Sequence, residues 1–459
     1  MRSTGFVEHS SVRSIRRACA ALALVAFPLL AAQASAQVDA VRLVPSAALS
    51  GLKASTLHGH EALAYGTKGH KAADGRTTTS STVSVGIPGV DSVQNWSDQF
   101  VSPGYDGLGN PQSVWPYTMV GNPPEYGQST TIGAPIVPVN VQLLAADGSV
   151  AYTFGPSAAD IGNVIKSPIF QPFPYASGTG QFLDEMMRTQ FARRFEQGED
   201  GGYHTLLTAK LRTGRVMQVP YLTPTGANAW YVFVNKAGQA IAAAIDEGTF
   251  GNLLFPATYP VTPDTPIGAA EASGDITTRD ISTFLFKDTV LFSNGDINQC
   301  CIIGYHTYDY EPGDASNGNN LRFYVLNYAS YLSTGLFSGG FEDITPWSHE
   351  MAEIFDDPFV NNATPWWLII DPSTGYGNCQ NNLEVGDVIE VLSSVPVYQV
   401  GMNGLTYHPQ NMALLSWFAG QTPAQSASRH GAYSFPDETT VRHLSPAPLL
   451  PGCVAPPTP

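Results

Sequence analysis

Apolar and polar residues alternate along several short stretches of the chain, which is the pattern of β-strands with one buried face. The clearest stretch is 136–143, which reads IVPVNVQL, and Asp147 and Gly148 follow it as a hairpin turn into a second strand at 150–154. Similar patterns predict further strands over 230–234, 281–292, 301–310 and 321–328. The region from about 132 to 418 is therefore expected to form a β-rich core.

Three segments have the spacing of helices instead. In the first, 181–196, apolar residues recur at every fourth position and form one stripe that suits a core: Leu183, Met187, Phe191 and Phe195. A short helix is predicted at about 346–355, because Pro346 suits a first turn and Pro358 blocks continuation. A last helix is predicted at about 409–418. The predicted fold class is thus α+β, with a β-rich core and a few helices.

The first 36 residues have the pattern of a cleavable secretory signal peptide. Four arginines and a single acidic residue precede an apolar run over 18–32, and the small residues at 34–36 favour cleavage before Gln37. The alternative is an uncleaved N-terminal anchor, although a run of about 15 residues is short for a bilayer core of roughly 30 Å. The protein is therefore expected to be extracellular or periplasmic, with no membrane span after cleavage.

Composition divides the rest of the chain into three parts. Residues 37–130 are rich in Ser, Thr, Gly and Asn, and we interpret them as a low-complexity, loosely ordered N-terminal extension. Residues 131–420 hold the predicted strands and helices and are expected to form the α+β domain. Residues 421–459 are expected to form a tail whose Pro-rich end excludes a regular helix or a central strand.

The charge balance is acidic and argues against two classes of partner. The net charge is −16 at pH 7, and the first 36 residues contribute +3, so the remaining residues carry −19. Nucleic acid and anionic lipid both require a basic face, so neither is expected to bind. The simpler interpretation of the acidity is that it keeps an exported protein soluble.

Four cysteines remain once the signal peptide is removed: Cys300, Cys301, Cys379 and Cys453. An even count in an exported chain indicates two disulfides, and four cysteines allow three pairings. Because Cys300 and Cys301 are adjacent, they are not expected to bond each other, and each is expected to reach one of the other two. The spacing lacks the paired C-x-x-C ligands of a cysteine-based zinc site.

One short segment, 345–358, carries the residue types of a metal site. It reads TPWSHEMAEIFDDP, and on a helix His349 and Glu353 lie one turn apart on the same face, so both can bind one ion. Glu350 lies about 100° further round the helix, where it can act as a general base on an ion-bound water. The zincin motif H-E-x-x-H works in this way, and here Glu353 replaces its second histidine.

The third metal ligand is predicted downstream of this helix. Glu384, in the segment LEVGD at 383–387, is our choice, with Asp387 as its partner or substitute. Zinc is the favoured ion, and the carboxylate content of the set makes calcium or manganese the alternative. His306, on a predicted strand among aromatic residues, is favoured as a core residue over a site residue. The alternative for the whole motif is a chance pattern of solvated acids on a surface helix.

The segment SHEMAE at 348–353, followed by Asp357 and Pro358, resembles the S-H-E-x-x-E…[D/N]-P motif of a group of secreted proteins. The group includes plant phosphate-induced, Exordium-like proteins and bacterial exported metallopeptidase-like proteins. The segments GYH at 304–306 and EVGD at 384–387 also resemble it, and the similarity covers roughly 130–420. Cys379 departs from the group by preceding the Gly-Asp pair instead of following it. The resemblance implies a zincin-like helix with a metallopeptidase-like motif, although the plant members are discussed as growth-linked proteins and not as established enzymes.

The leading functional hypothesis is a secreted, metal-binding hydrolase that acts on a peptide or a cell-wall polymer. His349, Glu353 and Glu384 are predicted to bind the metal, and Glu350 is the predicted catalytic base. The first alternative is a non-catalytic extracellular binding protein with a structural metal or none. The second is an acid-acting hydrolase that uses paired carboxylates without a metal.

Overall fold

A computed structural model of the protein describes residues 42–45, 86–195, 202–257, 261–333, 335–337, 340–371, 377–392, 397–421 and 432–441. All of these residues belong to one compact unit, Ala36–Pro459. The predicted signal peptide lies outside the described residues. Among the helices that the structure describes, none is long and apolar enough to cross a membrane.

Strands hold more than twice as many of the described residues as helices do. The strands are β1 (Leu43–Pro45), β2 (Asn95–Tyr105), β3 (Pro111–Val120), β4 (Ser129–Leu144), β5 (Val150–Phe154), β6 (Phe173–Pro174), β7 (Thr179–Gly180), β8 (His204–Leu211), β9 (Arg215–Val219), β10 (Trp230–Val234), β11 (Ala240–Asp246), β12 (Ile281–Lys287), β13 (Thr289–Phe292), β14 (Cys300–Ile302), β15 (Gly304–Glu311), β16 (Arg322–Tyr331), β17 (Ala363–Ile370), β18 (Gly377–Asn382), β19 (Val400–Met402), β20 (Leu405–Tyr407), β21 (Met412–Ala413) and β22 (Ser434–Phe435). The helices are α1 (Ala158–Ile165), α2 (Phe182–Gln190), α3 (Ala192–Phe195), α4 (Glu247–Leu254), α5 (Pro266–Ala272), α6 (Thr345–Asp356), α7 (Asp387–Glu390) and α8 (Leu415–Phe418).

The long strand β4 organises the main sheet, whose order is β15-β16-β12-β4-β5. The first half of β4 pairs in parallel with β8, and its second half pairs in parallel with β9 and antiparallel with β5. Its odd-numbered apolar residues face one core and its even-numbered residues face another, so both faces of the sheet are buried. This confirms the predicted strand at 136–143 and its hairpin.

A second sheet, in the order β1-β10-β11-β13-β14, covers one face of the main sheet. Val232 and Ile245 from this sheet share a core with Val139 and Leu326 from the main sheet. Helices α4 and α5 contribute Phe250 and Ile267 to the same core, which closes this side of the molecule. The predicted strand at 230–234 is confirmed as β10, with the predicted bounds.

The other face of the main sheet is covered by α2, α6 and the β2–β3 hairpin. Trp96, Trp115 and Met119 from the hairpin are buried in the same core as Met351 and Phe355 from α6. Part of the N-terminal extension assigned from composition, the segment 95–120, is therefore packed into the domain. Strand β22, within the predicted C-terminal tail, likewise pairs with β21.

The predicted helices form, but with different lengths. The first divides into α2 and α3, and the stripe residues Leu183, Met187 and Phe191 are buried as expected. The second forms as α6 and is one residue longer at each end. The third is limited to α8, because Met412 and Ala413 pair with β22 as a strand instead.

The predicted α+β class with a zincin-like metal-binding helix is wrong. The structure is β-rich, its sheets are curved into half-barrels, and the described residues do not show a zincin-like helix. The sequence pattern predicts the length and spacing of α6, but it contains no information about what packs around the helix. All twelve residues of α6 are buried between the main sheet, α2 and strand β3.

The prediction that Cys300 and Cys301 would not bond each other is also wrong. The two adjacent cysteines form a disulfide, with Cα atoms 3.0 Å apart across a cis peptide bond. The prediction rested on the adjacency of the two residues in the chain. Cys379 is disulfide-bonded as well, and Cys453 lies outside the described residues.

Glu271 on α5 is a buried carboxyl group that faces acidic residues of β15. Burial, followed by the charge of Asp309, raises the pKa of Glu271 to about 10. An unfolded chain releases this proton above about pH 4.5, so the free energy of unfolding falls as the pH rises from there towards 10. We expect Glu271→Gln to remove this dependence and to raise the melting temperature by a few degrees at about pH 8, with a smaller gain at about pH 5.

Thermal unfolding of the parent and of Glu271→Gln at both pH values measures this effect. Glu125→Gln is the control, because Glu125 is exposed and pairs only at the surface with Arg194. A variant that is less stable than the parent at pH 8 would show that Glu271 acts as a carboxylate in the folded protein.

Candidate metal centre

Helix α6 carries the three residues of the sequence motif into the interior. His349, Glu350 and Glu353 are 4%, 2% and 2% exposed. His349 Nε2 lies 3.0 Å from Glu353 Oε1, as expected for residues one turn apart on the same face. The alternative considered for this motif was a surface helix with solvated side chains. These three side chains are buried, so that alternative is wrong.

Strand β15 brings a second histidine to the helix. Neighbouring residues point to opposite faces, so Tyr305 enters the core shared by the two sheets while His306 points toward α6. His306 Nδ1 lies 3.3 Å from Glu353 Oε2 and 3.6 Å from Glu350 Oε2. Its other ring nitrogen, Nε2, lies 3.8 Å from Glu384 Oε2. His306 is therefore buried, as a core residue would be, but it also lies beside the predicted ligands Glu353 and Glu384.

The segment after β18 supplies the remaining carboxyl groups. Glu384, Asp387 and Glu390 are spaced three residues apart and are all buried, the last two on α7. Gly386 allows this segment to approach α6, since a Cβ at that position would lie 2.6 Å from His349 Nδ1. Two main-chain groups of the segment, the N–H of Gly386 and of Asp387, donate to Glu353 Oε1 at 3.1 and 3.3 Å.

Gln410 determines the orientation of His349. Its Nε2 donates to the carbonyl of Gly386 at 2.8 Å, so its Oε1 is the atom that faces His349 Nδ1, at 3.1 Å. His349 Nδ1 must therefore carry a proton, because an amide oxygen only accepts. His349 Nε2 then faces Glu353 Oε1 at 3.0 Å and Asp387 Oδ1 at 3.3 Å. In a neutral imidazole this nitrogen carries a lone pair, which repels the lone pairs of the two carboxylate oxygens. A cation bound among the three atoms would be coordinated by all three of them.

Replacing Gln410 with Ala is expected to weaken metal binding by about 10- to 100-fold. His349 would lose the acceptor that fixes its tautomer and ring orientation. Competition with a coloured chelator measures the affinity, and circular dichroism shows whether the variant is folded. Gln142→Ala, which removes a side-chain hydrogen bond to Gln218 on the outer part of the sheet, is the control. Equal affinities for Gln410→Ala and the parent would contradict the role of Gln410.

Burial dominates the ionisation of three carboxyl groups in the cluster. It raises the pKa of Glu350 to about 7, and it raises the pKa of Glu384 and of Glu390 well above the usual range. Acidic neighbours add to the effect, because Glu353 acts on Glu384 and Asp387 acts on Glu390. The carboxylate form of each group is therefore unfavourable here unless a cation compensates it.

Glu353 and the two histidines shift in the opposite sense, toward their charged forms. Burial opposes the Glu353 carboxylate, but His349 and His306 outweigh burial and lower the pKa of Glu353. Burial likewise opposes an imidazolium, yet the carboxylates raise the pKa of both His306 and His349 well above the usual range. Five acidic side chains thus surround two histidines in the cluster.

Five buried ligand atoms of the cluster make no hydrogen bond with the described residues: His306 Nε2, His349 Nε2, Glu350 Oε2, Glu384 Oε2 and Glu390 Oε1. Buried polar atoms are normally satisfied, so five in one place require an explanation. Two ligands of one tetrahedral zinc ion lie about 3.3–3.6 Å apart, given bonds of about 2.0–2.2 Å. The nitrogen–oxygen separations in the cluster, 3.0 to 3.8 Å, cover this range. The arrangement therefore fits a divalent cation.

The predicted ligands are distributed over overlapping groups. Glu384 groups with His306 and Glu353, whereas His349 groups with Glu350 and Glu353. A third group joins His349 to Asp387 and Glu390. Glu353 therefore links the two histidines.

Sequence reasoning did not anticipate the roles of Glu390 and Gln410. The even spacing of acids at 384, 387 and 390 was a usable signal for Glu390. No local pattern marks Gln410, which lies 61 residues beyond His349 in the chain.

A small cavity reaches the cluster beside Glu350 and His349. Its walls include the apolar residues Ile303, Phe341 and Pro346. The cavity has a volume of about 10 Å³, which is room for about one water molecule. Glu350 is thus next to a water-sized space that also adjoins a histidine of the metal centre.

No protein-family model matches the chain, and neither a curated protein nor a solved structure matches it significantly. The resemblance of residues 348–358 to the Exordium-like group therefore stays a prediction.

Proposed function

We propose that this protein is an exported metal-dependent hydrolase whose metal centre lies between α6, β15 and α7. The observation that carries the proposal is the position of Glu350, which lines a water-sized cavity together with His349 of the metal centre. A buried carboxylate beside a metal and a water is the arrangement that metal-dependent hydrolysis requires.

The proposed reaction uses Glu350 as the general base. When bound, the ion would lower the pKa of a water in the cavity and polarise the carbonyl of the substrate. Glu350 would accept a proton from this water as the water oxygen bonds to the carbonyl carbon, and would pass the proton to the amine that leaves when the C–N bond breaks. His349 and Glu353 would hold the ion, with Asp387 or Glu384 completing its shell. The proposed substrates are a peptide or a cell-wall polymer with an amide bond, as the sequence motif suggests.

The donor set supports a transition metal over calcium. The cluster contains two imidazoles, one of them on the proposed ligand His349. Imidazole suits zinc and iron, whereas calcium prefers an all-oxygen shell, and manganese suits the carboxylates. Zinc is the first proposed ion and manganese the second.

Export is proposed from the signal-like N-terminus. The disulfide between Cys300 and Cys301 and the disulfide-bonded state of Cys379 support an oxidising compartment. The extracellular space and the periplasm both meet this condition.

A second function, a non-catalytic protein with a structural metal, is favoured by the burial of the site. The most exposed of the five acidic side chains, Glu384, is only 6% exposed, and the cavity accommodates about one water molecule. A polymeric substrate would therefore need the walls of the cavity to move before it reached the metal. Structural metal sites are closed in the same way.

Glu350→Gln separates these two functions. We expect the variant to keep its metal but to lose hydrolysis by about 10²- to 10⁴-fold, which is the usual contribution of a general base. Elemental analysis measures the metal, and release of amines from a panel of peptides and wall polymers measures hydrolysis. Glu342→Gln is the control, because Glu342 is partly exposed and pairs with His408 outside the cluster.

The outcomes of this experiment are distinct. Hydrolysis by the parent that persists unchanged in Glu350→Gln would contradict the proposed base. A parent that binds metal tightly and hydrolyses nothing in the panel would favour the structural metal instead.

A further inference from the structure

We infer that the centre holds two divalent cations, bridged by the carboxylate of Glu353. This inference rests on the proposed metal centre but extends it, because a hydrolase of this kind requires only one ion. It also assigns separate ligand sets to the two histidines.

The two oxygens of Glu353 face different imidazoles. Oε1 lies 3.0 Å from His349 Nε2, and Oε2 lies 3.3 Å from His306 Nδ1. The 3.3 Å separation matches the distance of about 3.3–3.6 Å between two ligands of one tetrahedral ion, and the 3.0 Å separation is slightly shorter than that range. A carboxylate that presents one oxygen to each of two ligand sets is a bridging ligand. In two-metal hydrolases the ions lie about 3.5–4 Å apart, a spacing that a bridging carboxylate can span.

Each oxygen of Glu353 has its own further ligands. On the Oε1 side, Asp387 Oδ1 lies 3.3 Å from His349 Nε2, so three donors from two chain segments, α6 and α7, surround one position. On the Oε2 side, His306, Glu353 and Glu384 offer donor atoms within 4.8 Å of one another. Both groups are fully buried, and His349 Nε2 in the first has no hydrogen-bond partner among the described residues.

Two ions would also give Glu350 a defined partner. Its Oε2 lies 3.6 Å from His306 Nδ1, and it groups with His349 and Glu353 as well. It therefore borders both proposed ion positions. A water that bridges two ions is more acidic than one bound to a single ion, and Glu350 is placed to take its proton. The reaction class is two-metal hydrolysis of an amide bond.

The test is the zinc stoichiometry of the purified exported protein. The protein is stripped with chelator, reloaded with zinc, passed through a desalting column and analysed for bound metal. We expect about two equivalents in the parent, about one in His306→Ala and about one in His349→Ala. Glu353→Gln should retain less than one. His204→Ala is the control and should retain two equivalents of zinc. His204 lies on β8 and pairs with Asp184 on α2, away from the cluster.

A second measurement does not depend on folded variants. The parent is reloaded with manganese, and electron paramagnetic resonance is recorded at one and at two equivalents. A bridged pair gives an exchange-coupled spectrum at two equivalents, whereas isolated ions give a six-line spectrum at every loading.

The failures of the two proposals are distinguishable. One equivalent in the parent, with only a six-line manganese spectrum, would overturn the two-ion inference and leave the metal-dependent hydrolase in place. No bound zinc or manganese in the parent would overturn both.

Discussion

Chelation of the bound metal is expected to lower the melting temperature of this protein by at least about 10 °C. Removing the partner of a buried charge costs about 3–5 kcal/mol, and each kcal/mol shifts the melting temperature of a domain of about 150–250 residues by about 2–4 °C. In this cluster, five acidic side chains depend on the metal at once. Re-addition of zinc should restore the melting temperature, since a ligand that binds only the folded state stabilises it.

Differential scanning calorimetry of the holo, chelated and reloaded protein checks this expectation. The difference between holo and chelated protein should widen as the pH rises, because metal binding displaces protons from His306 and His349. Glu271→Gln lies outside the cluster and should show the same loss on chelation. Complete removal of the metal without any change in melting temperature would mean that protonated histidines alone compensate the carboxylates.

Glu353→Gln is expected to abolish tight metal binding, with an affinity loss greater than about 100-fold. The substitution preserves size but removes the charge that contacts both His306 and His349. Loss of an outer residue that only orients a ligand costs about 10- to 100-fold, and a direct ligand should cost more. Isothermal titration with zinc measures the effect.

Glu185→Gln is the matched control for this substitution. Glu185 is also a fully buried glutamate on a helix, and it pairs with Arg188 one turn later on α2 instead of with the cluster. We expect it to bind zinc as the parent does, whatever it does to stability. Comparable zinc affinities for Glu353→Gln and the parent would exclude Glu353 as a ligand.

Five of the seven strands of the main sheet could be predicted from the sequence because each has its own apolar pattern, whereas β8 and β9 were not predicted. The stretch 136–143 and its hairpin partner at 150–154 form β4 and β5 as expected. The order of the sheet was not predictable, because β4 pairs with β8, β9 and β12, which lie far along the chain. The elements that pack around α6 were missed for the same reason. The predicted fold class was therefore wrong.

The part of the site on α6 could be predicted because local helix geometry alone brings His349 and Glu353 together. His306 shows the limit of this reasoning, since an alternating strand indicates which face a residue occupies but not what lies opposite. Gln410 illustrates the same limit, because it contacts His349 although the two residues lie 61 positions apart in the chain. The bond between Cys300 and Cys301 was missed because adjacent cysteines were not expected to pair.

The most direct test of the metal centre is anomalous diffraction from crystals of the zinc-loaded protein, recorded on both sides of the zinc absorption edge. We predict an anomalous peak about 2.0–2.2 Å from His349 Nε2 and from an oxygen of Glu353. Crystals that bind no zinc in this cluster, with both imidazoles hydrogen-bonded to the carboxylates, would contradict the metal centre and the hydrolase proposed from it.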